Sequence, residues 1–145
     1  MLGLDMAEQN NPRLWLADTL FSLDAIEFGS FTLGRTAVDS PVYLNVRRLI
    51  GHPTALWRAA TVMHEEIQTL QAMHHAQMEP FELVAGIPLG GLHIATAYSL
   101  TAKVPMIYLH PSRAGNELEG VYHPNQRVII MDDLATCGGS FIETA

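Results

Sequence analysis

Three stretches of this chain are apolar at consecutive positions and not at alternate ones, and they limit the fold more than any other feature. They are FELVAGIPL (81–89), VPMIYLH (104–110) and RVIIM (127–131). A strand with one wet face alternates apolar and polar side chains. One that is apolar at successive positions is covered on both faces, as the inner strands of a parallel sheet are. LHIATAYSL (92–100) lies between the first two and reads as a helix, the crossover that a parallel pair needs. Strand, helix, strand, loop, strand, and a further helix expected from Gly139, give an α/β fold on a parallel, doubly wound sheet.

The first half has a different rhythm. Asn11 suits an N-cap and Pro12 the first helical position, and Trp15, Leu16, Thr19, Leu20 and Leu23 form a helical stripe to about Ile26. FTLGR (31–35) and SPVYLNVRRLI (40–50) read as strands that pair antiparallel into a small hood. A long helix is predicted over 54–78 from Leu56, Ala60, Met63, Ile67, Leu70 and His74, closed by Pro80. Residues 111–126 read as a polar loop. The expectation is one domain over 1–145, with the first helix and hood in 1–53 and the α/β core in 54–145. That core looks truncated, because Ala145 falls in the first turns of the last helix.

Composition narrows the function classes. With 145 residues, of which 48% are hydrophobic, the chain can bury about two thirds of its unfolded surface. No apolar run approaches the roughly 20 residues that span a bilayer, and MLGLDMAEQNNPR lacks the pattern of a secretory signal. The one cysteine, Cys137, leaves no internal disulfide and suits a reducing cytoplasm. A formal charge of −7 argues against a sequence-independent nucleic-acid partner, which needs a basic face. It does not argue against a phosphate ligand, which loop amides and helix N-termini hold without side-chain charge. His64-Glu65-Glu66-Ile67-Gln68 lacks the second histidine of a zinc-protease motif.

Ligands of open α/β sheets sit beyond the carboxyl ends of the strands. Two glycine-bearing loops fall there, 86–91 and 132–140, and should lie near each other. In the second, Asp132 and Asp133 are acceptor-only groups that suit a hydrated divalent cation or the hydroxyls of a sugar. Leu134-Ala135-Thr136-Cys137-Gly138-Gly139-Ser140 follows. Its glycines let backbone N–H groups approach an anion, its hydroxyls add donors, and the next helix would aim its positive end at the same point. Acceptors for hydroxyls beside a phosphate cradle fit a ribose 5-phosphate. Paired acids after an apolar strand also occur in receiver domains and aspartate phosphatases, but neither calls for a glycine-rich phosphate loop directly afterwards. An unrelated doubly wound nucleotide binder is a further reading.

VIIMDDLATCGGS (128–140) resembles the phosphoribosyl-diphosphate motif of type I phosphoribosyltransferases, and among these the orotate phosphoribosyltransferases most. FSLDAIEFGSFTL (21–33), SPVYLNVRRLIGHP (40–53), VAGIPLGGLHIATAYSL (84–100) and ELEGVYH (117–123) resemble further blocks of that family in the same order. The resemblance implies transfer of a phosphoribosyl group from phosphoribosyl diphosphate to a nitrogenous base, orotate first, with Mg²⁺ carried by the ligand and a homodimeric protein. It places Asp132 and Asp133 on the ribose hydroxyls and residues 134–140, Leu134, Ala135, Thr136, Cys137, Gly138, Gly139 and Ser140, around the 5-phosphate. Ile87, Pro88, Leu89 and Gly90 would form the pyrophosphate loop, where a cis or otherwise unusual peptide is in keeping with the family. Arg35, Tyr43 and Thr136 would meet the base, and Arg113 would be the cation near the leaving pyrophosphate.

The chain departs from that pattern in the loop HPSRAGNELEG (110–120), which contains no lysine. Arg113 is its permanent cation and His110 a titratable second. A second functional reading follows, a phosphoribosyl-diphosphate or nucleotide-binding regulatory protein without catalysis. Arg47-Arg48 reads either as a solvated pair or as facing a partner subunit's site.

Overall fold

The computed structural model describes residues 11–33, 37–112 and 115–135. Helix α1 (Pro12–Ser22) begins as its sequence dictates, with the Asn11 carboxamide oxygen accepting from the amides of Arg13 at 3.1 Å and Leu14 at 3.3 Å. It stops short of Ile26, because Asp24 turns into the left-handed region at φ 51° and Ile26 opens a strand.

That strand, β1 (Ile26–Leu33), pairs antiparallel with β2 (Ala37–Leu44) to form the hood. The second predicted hood strand does not run to residue 50. It ends at Leu44, and a 3₁₀ turn (Val46–Gly51) takes over. Leu49 of that turn is buried with Leu20, Ala25 and Ala59, so one small core joins α1, the turn and the next helix. Helix α2 (Pro53–Ala72) buries Ala59, Ala60 and Ile67. It also ends before its predicted limit at 78, where Met73 becomes extended at ψ 147°.

The main sheet has the order β5-β4-β3-β6. β3 (Leu83–Gly86) lies between β4 (Met106–Ser112) and β6 (Val128–Met131), parallel to both, and helix α3 (Gly90–Ala102) links β3 to β4. The three apolar runs are therefore parallel neighbours. Val84 and Met131 on one face pack with Ala60, Ile67, Ala95 and Tyr98 of the helices. Leu83, Ala85 and Ile107 form a buried cluster with Ile130.

Two expectations change. The sheet is mixed and not purely parallel, because β5 (Gly115–Glu119) adds an antiparallel edge beside β4, in register from Tyr108↔Glu119 to Ser112↔Gly115. It lies inside the stretch read as a polar loop, since GNELE is poor in β-branched and aromatic residues and gains its strand form from β4's free edge. The second helical layer of a doubly wound sheet rests on the helix expected from Gly139, which lies outside the described residues. No helix among the described residues is long and apolar enough to cross a membrane.

Candidate active site

Because β3 and β6 are parallel neighbours, the chain leaves both at the same edge of the sheet. The ladder continues one step beyond them, with the Ile87 amide donating to the Met131 carbonyl at 3.0 Å. The peptide joining Pro88 to Leu89 is cis, in keeping with the resemblance. Leu89 is exposed, whereas Gly90 and Gly91 are buried where α3 starts. These glycines abut the two aspartates. A Cβ on Gly90 would fall closer than 3.0 Å to the Asp133 carboxylate, and one on Gly91 would crowd the Met131 carbonyl oxygen and the Asp132 Cα. The two glycine loops thus meet, and hydrogen is the side chain that lets them.

Asp132 and Asp133 are both half-buried. They border a cavity of ≈ 160 Å³ whose other walls include Leu20, Val46, Leu49, Met63 and Ile94. This apolar lining bears on Asp132. Burial pushes the Asp132 carboxyl up to about 6, and the side-chain hydrogen bond and negative charge of Asp133 push the same way. The Asp133 amide, donating to Asp132 Oδ1 at 2.9 Å, and the charge of Arg47 pull it down. A wider cleft of ≈ 570 Å³ beside Arg13, Met63, Glu66 and Ile67 has no acid pair or glycine loop on its wall.

The raised acid has a consequence for stability. Folding favours its protonated form, so its stabilising contribution is complete below the ordinary value of 3.8 and is lost as pH rises through about 6. At neutral pH the ionised Asp132 costs the fold free energy. Asp132→Asn is therefore expected to raise stability at pH 7 by at most about 1–2 kcal/mol, allowing for solvent screening. Urea unfolding checks this, and the advantage should vanish below about pH 4.

Tyr43 sits on β2 with its ring 5.6 Å from that of Phe31, and belongs to neither main core cluster. Its hydroxyl accepts from Arg47 Nη2 at 3.3 Å, and Arg47 Nε lies 3.4 Å from Asp133 Oδ2. Arg47 therefore faces the carboxylates of its own chain. A strand run on to residue 50, as the sequence suggests, would keep Arg47 away from Tyr43. A strand spaces positions 43 and 47 by about 13 Å, whereas the 3₁₀ turn brings them into contact.

The structure brings Asp132, Asp133, Ile87 and Gly90 together, with Pro88 and Leu89 in the same loop. It places Leu134 half-buried and Ala135 exposed just past the acids, and reaches Tyr43 through Arg47. Arg35, Arg113 and residues 136–140 lie outside the described residues.

No family model matches the chain. Whole sequences do. It is 31% identical over 134 residues to the orotate phosphoribosyltransferase of Pyrococcus abyssi, covering 90% of this chain and 69% of that protein. It is also 31% identical over 130 residues to that of Cenarchaeum symbiosum, covering 87% of this chain and 62% of that one. Among solved structures, the UMP synthase of Leishmania donovani superposes with a TM-score of 0.76 at 32% identity, over 89% of this chain and 26% of that one. The chain thus spans about two thirds or less of these relatives. A glycine-backed acid pair at the strand ends and these matches converge: the chain belongs to the orotate phosphoribosyltransferase family and has the type I phosphoribosyltransferase fold.

Proposed function

We propose that this protein transfers the phosphoribosyl group of phosphoribosyl diphosphate to orotate, releasing pyrophosphate and a nucleotide. The observation that carries this reading is the half-buried pair Asp132–Asp133 pressed against the glycines at the start of α3. Acid oxygens for a sugar's hydroxyls there adjoin a backbone loop suited to an anion.

In this reading Asp132 and Asp133 accept from the ribose hydroxyls. The amides of residues 87–90 face the leaving pyrophosphate, and residues 134–140 cradle the 5-phosphate. Positive charge builds on the ribose as the bond to pyrophosphate lengthens, and two carboxylates below the ring favour that charge. The remaining work is alignment of base and sugar for displacement. Tyr43, Arg35 and Thr136 are proposed for the base, and Arg113 for the pyrophosphate. The described rim offers oxygen acceptors of the hard kind that suit Mg²⁺. The ion is proposed to travel on the diphosphate oxygens, where it would neutralise charge on the leaving group. A homodimer in the cytoplasm completes the proposal.

The test is pyrophosphate release on mixing the protein with phosphoribosyl diphosphate, Mg²⁺ and orotate. Release that needs all three supports the reading. No release, together with no heat of binding for phosphoribosyl diphosphate, sinks it.

Asp132 also gives the reaction a pH limb. The sugar needs the ionised acceptor, so kcat/KM for phosphoribosyl diphosphate should rise through about 6 and level above it. The ligand's own phosphate titrates in the same region. The comparison that decides is therefore with Asp132→Asn, whose profile should lose the part of the limb due to the carboxyl. Identical profiles would remove Asp132 from the role.

A further inference from the structure

We infer that Arg47 is a positioning residue that ties Asp133 to Tyr43, so that the sugar-binding and base-binding halves of the site set each other's geometry. This rests on the functional reading above.

The link is physical and two-armed. One guanidinium nitrogen, Nε, lies 3.4 Å from Asp133 Oδ2, and a second, Nη2, donates to the Tyr43 hydroxyl at 3.3 Å. A planar guanidinium with several fixed donors can hold both at once, which the point charge of a lysine cannot do in the same geometry. Both ends are constrained. Asp133 is 16% exposed and is backed by Gly90. Tyr43 packs on Phe31 across the hood pair. The hinge between them is fixed as well, since Leu49, two positions beyond Arg47, is 1% exposed in the core beneath α1. Arg47 itself is 55% exposed, so its head can move without a large desolvation cost.

When the ribose hydroxyls claim Asp133, they compete for the oxygen that Arg47 holds. The guanidinium then leans on Tyr43, and the hood ring settles in its liganded position. Sugar occupancy therefore tightens the base site, and by linkage base occupancy tightens the sugar site by the same factor.

Calorimetry with ribose 5-phosphate, which occupies the sugar site and cannot react, tests this. Orotate binding is measured with and without it on the parent, Arg47→Ala, Arg47→Lys, Tyr43→Phe and the Arg47→Ala/Tyr43→Phe pair. In the parent the sugar phosphate should strengthen orotate binding about fivefold or more. Each single change should bring that ratio close to one, and the double variant should do no more. A merely structural role would weaken both ligands and leave the ratio intact. The conservative Tyr43→Phe and Arg47→Lys keep the test valid if Arg47→Ala folds poorly. A parent that binds both ligands with no ratio, or Arg47→Ala that retains it, overturns the link alone. A parent that binds neither ligand overturns the functional reading and the link with it.

Discussion

The variant carrying both Asp132→Asn and Asp133→Asn is expected to lose phosphoribosyl-diphosphate binding by about a thousandfold or more while keeping its fold. The size follows from counting acceptors. A hydrogen bond to a charged group contributes about 1.5–3 kcal/mol, and each substitution exchanges an ionised acceptor for a neutral amide, so each single variant should weaken binding about ten- to a hundredfold. The fold survives because the two side chains border a cavity and not a packed core. Burial also makes the ionised Asp132 a cost at neutral pH. Loss of binding with a maintained or raised urea midpoint is a signature that an unfolded variant cannot give. Calorimetry and the pyrophosphate assay measure the first part, and urea unfolding the second. Parent-like binding by the double variant would remove the carboxylates from the site.

Gly90→Ala and Gly91→Ala are the second case, because two adjacent and identical substitutions are expected to fail differently. At position 90 the new methyl meets the Asp133 carboxylate, a side chain that can turn aside by giving up its contact with Arg47. Stability should fall less than at position 91, because a side chain gives way more easily than backbone, and alanine's better helix propensity offsets part of the strain. The displaced carboxylate leaves the geometry proposed for holding the sugar, and a misplacement of about 1 Å costs on the order of a hundredfold in rate. At position 91 the methyl meets the Met131 carbonyl and the Asp132 backbone. Neither can rotate away, so β6 itself must shift, with a loss of about 1–3 kcal/mol as in other overpacked sites. Urea midpoints and kcat/KM for the two variants separate the outcomes. Equal stability losses would show that the contact at Gly90 is not with a movable side chain.

The parallel core was legible because it depends on local facts. Runs such as LVAG and VIIM leave a strand no wet face, and Asn11-Pro12 starts a helix by chemistry confined to a few neighbouring residues. The acid pair and glycine loops were legible for a related reason. The residue types state what they can bind, and the strand ends state where. Misreadings fell where a distant partner overrides the local signal. GNELE became a strand because β4 offered it an edge, and the chain after Leu44 became a 3₁₀ turn because Leu49 is drawn into a core with Leu20 and Ala59.

Sequence alone thus determined the α/β class and the placing of an acid pair and two glycine loops at the strand ends, since each follows from side-chain chemistry and short-range periodicity. Tertiary structure decided which atoms touch. It set Gly90 against Asp133 and Gly91 against the end of β6, buried Asp132 beside apolar side chains until its carboxyl rose to about 6, and turned Arg47 onto Asp133 and Tyr43. All but the Arg47–Tyr43 contact join residues far apart in the chain, and their distances are fixed by how helices, hood and sheet pack together, which no local pattern encodes.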